Sequence, residues 1–184
     1  MALHLFEGYG IELEYMIVNG SLDVNPLADK IFEEVAGENS SDYETKDIAW
    51  SNELALHIIE LKCNGPAADL HGLTEKFNTN IKHINSILKQ HKSRLMPTAM
   101  HPWMDPLKET FLWPHEYTEV YQSYNRIFNC KGHGWSNIQS MHINLPFNGD
   151  EEFRKLHTAI RLLLPIMPAL AASSPIVEGK ITGI

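Results

Sequence analysis

Several features that define other protein classes are scarce in this chain of 184 residues. It has two cysteines, Cys63 and Cys130, too few for the disulfide framework of a small secreted domain. It has no basic cluster and a formal net charge of −8, so neither a nucleic acid nor an anionic membrane surface would attract it. We therefore expect neither of them as a partner.

Long apolar runs are missing as well. The most apolar stretch, residues 160–172, is interrupted by Pro165 and Pro168 and is shorter than the roughly 20 residues that a spanning helix needs. The N-terminus lacks the basic patch and apolar run of a signal peptide. Together with the few cysteines, these absences make the cytoplasm the expected location. Walker-type, Gly-x-Ser-x-Gly, Cys-x-x-Cys and His-Glu-x-x-His patterns are also absent.

The composition is that of a globular protein, with 43% hydrophobic and 21% charged residues. No repeat, low-complexity tract or linker divides the chain, so residues 1–184 are predicted to form a single domain. Apolar and acidic residues alternate between residues 10 and 18, which predicts a strand. Asn25 and Pro26 are the expected cap and first residue of a helix that Gly37 closes.

Further elements follow from periodicity and turn residues. Residues 38–47 are predicted as a loop and residues 48–62 as a second strand region. After Pro66, apolar residues recur at three- and four-residue steps and predict a long helix: Leu70, Leu73, Phe77, Ile81, Ile84 and Leu88. The other predicted elements are strands at 94–99 and 138–147, a helix at 115–128, and a helix capped by Asp150 with a stripe of Phe153, Leu156, Ile160, Leu163 and Met167. Because no Gly-rich phosphate loop follows a strand, we predict an α+β fold with a mainly antiparallel sheet.

Two acidic residues, Glu12 and Glu14, stand two positions apart in the first predicted strand. Their side chains project from one face, about 6.5–7 Å apart at the backbone. Carboxylates this close repel each other unless one is protonated or a cation lies between them. The pair fits either a magnesium site or the solvated face of an edge strand.

A second acidic pair, Glu53 and Glu60, flanks an apolar run. Their seven-residue step places them on opposite faces of an ideal strand, so they converge only through a bulge or a break. Glu60 interrupts a buried pattern and needs a partner, for which Lys62 has the right parity. Structural pairing and metal binding both remain open for Glu60.

A third polar motif lies in the predicted strand 138–147. His142 and Asn144 share a face opposite Met141 and Ile143, which indicates one apolar and one functional side. Such a histidine is either a ligand of a metal or phosphate, or a hydrogen-bonded core residue.

In this order, the motifs resemble the glutamate–cysteine ligase family, in its bacterial carboxylate–amine ligase branch. The matching text is Gly10-Ile-Glu-Leu-Glu14, Glu53, Glu60-Leu-Lys62, the His101-Pro102 loop, Gln139-Ser-Met-His-Ile-Asn144, the block 164–175 that ends in Ala-Ser-Ser-Pro, and Gly179-Lys-Ile-Thr-Gly183. The resemblance therefore extends over nearly the whole chain.

The resemblance implies a glutamine synthetase-like fold, in which a curved antiparallel sheet backed by helices binds ATP and magnesium on its concave face. It implies an ATP-dependent ligase, in which a substrate carboxylate forms an acyl phosphate that an amine then captures. The implied substrates are ATP, a glutamate-like carboxylate and an amine such as cysteine, and self-association is left open. The implied ligands of Mg²⁺, with Mn²⁺ as an alternative, are Glu12, Glu14, Glu53, Glu60 and His142, and His142 and Asn144 are implied to contact the nucleotide.

The chain also departs from the family pattern. Where relatives carry His-Val-His-Val-Gly, this chain has Ser140 at the first histidine and Asn144 at the glycine, which leaves the substrate and the branch of the family open. No catalytic residue is assigned. Relatives continue past the Thr-Gly motif, so we expect the N-terminal portion of a catalytic domain, with a fold incomplete at its C-terminus. The alternative is a non-catalytic nucleotide- or metal-binding fragment, or a subunit that needs another chain to complete its site.

Overall fold

The computed structural model describes residues 2–183. The strands are β1 (Gly10–Asn19), β2 (Asp42–Glu44), β3 (Ile48–Asn52), β4 (Ile58–Cys63), β5 (Ser93–Met96), β6 (Met141–Asn144), β7 (Ile176–Val177) and β8 (Lys180–Ile181). The helices are α1 (Ala28–Ala36), α2 (Leu73–Gln90), α3 (Pro106–Glu109), α4 (Thr118–Phe128), α5 (His133–Ser136), α6 (Gly149–Leu163) and α7 (Met167–Ala171). None of the helices in this part of the chain has the length and apolar character to cross a membrane.

Strand β1 lies at the centre of a six-stranded sheet with the order β2-β3-β4-β1-β5. Its residues Met16–Asn19 pair with β5, and its residues Gly10–Leu13 pair with β6, so β5 and β6 share one edge of β1. All these pairings are antiparallel. The predicted α+β class with an antiparallel sheet is thereby confirmed.

The alternation predicted for β1 separates two faces of the sheet. On one face Ile17 is fully buried against Phe32 of α1 and Ile84 of α2, together with Trp50 and Ile59 from the neighbouring strands. Because side chains alternate along a strand, Glu12 and Glu14 point to the opposite face. One pattern thus supplies both the core and an acidic surface.

Three predictions for the N-terminal part needed correction. Helix α1 begins at Ala28 rather than at Pro26, because the side chain of Asn25 donates to Ser93 Oγ (2.8 Å) instead of capping the helix. Gly37 ends α1 as predicted, with φ 102°. Residues 38–47 contain the short strand β2 because its backbone pairs with β3. The strand region 48–62 is a hairpin of β3 and β4, separated by residues 53–57.

Other boundaries also differ from the predictions. Leu70 is exposed and precedes α2, which begins after Gly72 at φ 71°. Strand β6 is shorter than the predicted 138–147. Asp150 lies in the first turn of α6 and does not cap it. Asn148 occupies the N-cap position, and its N–H donates to Glu152 Oε2 (2.7 Å).

Candidate functional site

The sheet register brings the predicted acidic residues together around β1. Glu14 lies directly opposite Glu60 of β4, and Glu12 lies opposite Lys62 of β4 on one side and His142 of β6 on the other. Directly paired residues of an antiparallel sheet project from the same face. Two facing glutamates repel each other unless a proton or a cation separates them.

Glu53 reaches the same place through the break between β3 and β4, which satisfies the geometric condition set by its seven-residue step. Ligand atoms from Glu14, Glu53 and Glu60 all lie within 4.8 Å of one another, and so do those from Glu12, Glu60 and His142. We call the first group the carboxylate triad and the second the edge triad. Glu60 belongs to both triads.

Glu60 is buried, with 7% of its surface exposed, and it is held by two neighbours. Its Oε2 accepts from Ser51 Oγ (2.7 Å) and from Lys62 Nζ (2.8 Å). The sequence identified Lys62 as a partner but missed Ser51, which faces Glu60 only through the β3–β4 pairing. Both bonds fall on Oε2, and no hydrogen bond from residues 2–183 reaches Oε1, which leaves that oxygen for a cation.

Glu12 is held from the edge strand. Its Oε2 lies 2.9 Å from His142 Nδ1, and its Oε1 accepts from Asn144 Nδ2 at 2.7 Å. Asn144 faces Gly10, where an added Cβ would approach Asn144 Cβ to 3.1 Å. The missing side chain of Gly10 therefore makes room for Asn144. Because both oxygens of Glu12 already have partners, a cation in the edge triad competes with these bonds.

Ser140 fixes Glu14 in position through its main chain. The Ser140 N–H donates to Glu14 Oε2 (2.9 Å), and the Glu14 N–H donates to the Ser140 carbonyl (3.0 Å). The departures from the family pattern at Ser140 and Asn144 thus both lie at the site. There they contact the two glutamates of β1.

The electrostatics single out the carboxylate triad as the better cation site. Burial, followed by the charges of Glu14 and Glu60, raises the pKa of Glu53 to about 7. Burial also raises the pKa of Glu14. Both shifts arise first from the loss of water around the carboxylates, and mutual repulsion among the glutamates adds to them, so a bound cation would offset both costs. Three carboxylates offer the oxygen donors that Mg²⁺ and Mn²⁺ prefer, so the residues fit such an ion.

Two of the cavities that adjoin the site differ in their lining. One of about 290 Å³ is lined by Glu14 and Glu53 together with the aromatic residues Tyr121, Tyr124 and Trp135. The other, of about 300 Å³, lies beside Glu12 and Lys62 and is otherwise mostly apolar. The aromatic wall was not predicted as part of the site, because only the folded chain brings α4 and α5 next to β1. A sequence signal for it is the pair Tyr121 and Tyr124, three residues apart in the helix predicted at 115–128.

The fold and the acidic face define an α+β protein with a candidate metal site on an antiparallel sheet. The chain matches the sequence profile of glutamate-cysteine ligase family 2 over residues 9–184, and it therefore belongs to that family. It is also 35% identical, over 171 residues, to an uncharacterized protein of Archaeoglobus fulgidus. The match covers 93% of this chain and 46% of that protein, so the chain spans about half the length of this relative.

Proposed function

We propose that the protein acts as an ATP-dependent carboxylate–amine ligase, with ATP and a divalent cation on the acidic face of the sheet. The observation that carries this proposal is the convergence of Glu14, Glu53 and Glu60 within 4.8 Å, from three parts of a chain that belongs to the family. We further propose a glutamine synthetase-like arrangement, with this face as the concave one.

The proposed reaction has two steps. A carboxylate oxygen of a glutamate-like substrate attacks the γ-phosphorus of ATP, giving an acyl phosphate and ADP. An amine, such as that of cysteine, then attacks the acyl carbon, forming an amide and releasing phosphate and a proton. Phosphoryl transfer is accelerated mainly by positioning and charge neutralisation.

The chain's own residues position the ions and the nucleotide. Glu14, Glu53 and Glu60 would hold Mg²⁺ or Mn²⁺, which when bound neutralises negative charge on the phosphate oxygens. Glu12, His142 and Asn144 form the adjoining edge group, where His142 Nε2 offers a ring nitrogen to a second ion or to a phosphate. Lys62 Nζ donates to Glu60 Oε2 at 2.8 Å and so helps to fix the position of that carboxylate.

A second candidate is a nucleotide- or metal-binding unit that needs another polypeptide for catalysis. It is favoured by the absence of any buried residue between residues 140 and 183, and by the longer relative. This candidate keeps the cation site but forms no product alone.

The test is a metal titration combined with a product assay on the purified chain. Mn²⁺ binding, followed by electron paramagnetic resonance at pH 7.5, should weaken at least about tenfold in Glu53→Gln because one ligand loses its charge. The matched control is Glu44→Gln on the exposed strand β2, which should leave binding unchanged. Release of ADP and trapping of a hydroxamate with hydroxylamine would report the acyl phosphate.

The two candidates give different results. Cation and ATP binding together with hydroxamate formation support the ligase. Cation and ATP binding without product support the incomplete unit. Failure of wild-type protein to bind either Mn²⁺ or ATP rejects both candidates.

A further inference from the structure

A second feature of the molecule is an apolar surface around β6 that residues 2–183 leave mostly exposed. On the helix side of the sheet, Met141 and Ile143 are 67% and 59% exposed. They stand opposite Leu13 and Ile11 of β1, beyond the area that α2 protects. An apolar groove of about 320 Å³ lies there, lined by Leu13, Met141 and Phe77 of α2 among others.

Helix α6 adds a second uncovered apolar face. Its predicted stripe includes Phe153, Ile160 and Leu163, all of which are 42–49% exposed, while Asp150, Glu151 and Glu152 lie in its first turn. Its first turn is tied to the N-terminal segment by Glu152, which contacts His4 Nδ1 at 2.7 Å. An amphipathic helix gains stability mainly by burying its apolar stripe, so this stripe lacks its packing layer.

The outer edge of β6 is also unpaired among the described residues, since β6 pairs only with β1. The Glu14 N–H donates to the Ser140 carbonyl, and hydrogen-bonded pairs alternate along an antiparallel ladder. The N–H groups of Met141 and Ile143 therefore point away from β1. A free edge of this kind accepts a further strand.

Buried polar atoms without hydrogen-bond partners also lie next to β6. The side-chain amide of Gln139 has no hydrogen-bond partner at either atom within residues 2–183, although only 6% of the residue is exposed. Thr98 Oγ1, which is also buried, has no partner there either. Both residues line a cavity of about 520 Å³ at the split between β5 and β6. Buried groups of this kind normally meet a donor or an acceptor.

We propose that these two uncovered apolar faces, formed by Met141 and Ile143 of β6 and by Phe153, Ile160 and Leu163 of α6, together with the outer edge of β6, bind a polypeptide equivalent to the part of the Archaeoglobus relative outside the match. The unpaired edge of β6 can form backbone hydrogen bonds with an added strand, and the apolar faces would be stabilised by burial against another layer. The 46% coverage shows that about half of that relative remains to supply both. The proposal rests on the family and the surface, independently of the proposed activity.

The experiment pairs this chain with that polypeptide. The purified full chain is mixed with the unmatched segment of the relative, and the complex is measured by light scattering and calorimetry. The relative's own matched half serves as the positive control for the segment. We expect a 1:1 complex. A dye that fluoresces on the exposed apolar surface of the free chain should lose its fluorescence when the complex forms.

Variants locate the interface. Ile143→Lys should weaken binding at least about tenfold because it places a charge in an apolar contact, and Ile160→Lys should act in the same direction. Leu107→Lys on α3, at a residue 69% exposed outside the surface, is the matched control and should bind normally. Circular dichroism melts verify that each variant folds.

Three results overturn the proposal. The first is absence of binding, whether or not the two halves of the relative associate. The second is binding that Ile143→Lys and Ile160→Lys leave intact. The third is a stable homodimer that Ile143→Lys dissociates, which would assign the surface to a second copy of this chain.

Discussion

Residues 10–139 and residues 140–183 differ sharply in burial although both carry amphipathic elements. Every buried hydrophobic side chain among the described residues lies in the first region, from Met16 to Cys130. In the second region no described residue is buried. The last buried residue along the chain is Gln139, immediately before β6.

Helices α2 and α6 show what this difference teaches. In α2 the stripe residues Leu73, Phe77 and Ile84 are buried against the sheet, whereas the equivalent stripe of α6 stays open. Apolar residues recur with the same three- and four-residue steps in both helices, because this periodicity is a property of the local sequence. Burial also requires an opposing layer, which α2 finds within this chain and α6 does not find within residues 2–183.

The largest expected effect compares two phenylalanines, one from each region. Phe32 is fully buried and packs edge-on against Trp113 at 5.9 Å, so Phe32→Ala should lower the free energy of unfolding by about 3–5 kcal/mol. Phe153 is 48% exposed, and Phe153→Ala should cost less than about 1 kcal/mol. Urea unfolding measures both. Equal losses would remove the contrast between the regions.

The next largest effect is expected from the protonation of His57, a buried histidine that contacts the end of the first region. His57 is fully buried and its Nε2 lies 2.7 Å from the carbonyl of Ser136. Burial lowers the pKa of His57 to about 4 from its ordinary 6.5. Between these values the unfolded chain binds a proton that the folded chain does not, so acid favours unfolding.

His57 contributes a fall of up to about 3 kcal/mol in the free energy of unfolding as the pH decreases from 6.5 to 4. The raised pKa of Glu53 contributes in the opposite direction over much of this range, so the test is the difference between two proteins. From pH 6.5 to 4, the free energy of unfolding of His57→Gln should change by up to about 3 kcal/mol in the stabilising direction relative to wild type, because the titrating imidazole is gone. His71→Gln serves as the control, since the His71 side chain is 97% exposed and should leave the slope unchanged. An unaltered slope in His57→Gln would show that other groups drive the acid sensitivity.

Much of the fold was accessible from local pattern. The alternation in β1 gave the shared face of Glu12 and Glu14, and the three- and four-residue steps gave α2. The pairing partners were not accessible, because contacts such as that between Glu12 and His142, 130 positions apart, leave no local signal. The start of α1 was mispredicted for the same reason, since Asn25 contacts Ser93, 68 positions away.

The candidate site was predictable as a set of residues but not as a geometry. The family resemblance supplied the residues, while the hairpin break after β3 brought Glu53 beside Glu60. The role of Ser51 depends on its register with Glu60, which no property of an isolated serine indicates. Side chains that hold a charged group through register are therefore the ones that sequence reasoning misses.

The smallest expected effects compare the two regions within the site itself. Ser51 Oγ donates to the buried carboxylate of Glu60 and accepts from Lys62 Nζ (2.8 Å), so Ser51→Ala removes a bond to a charged group that water cannot easily replace. We expect a loss of about 1–2 kcal/mol in the free energy of unfolding. His142→Ala breaks a contact with Glu12 that is 46% exposed on the histidine side, and should cost less than about 1 kcal/mol. Urea unfolding of both variants at pH 7.5 without metal measures the difference. A larger loss in His142→Ala would mean that β6 stabilises the sheet as much as β3 does, and the division of the molecule at residue 140 would no longer hold.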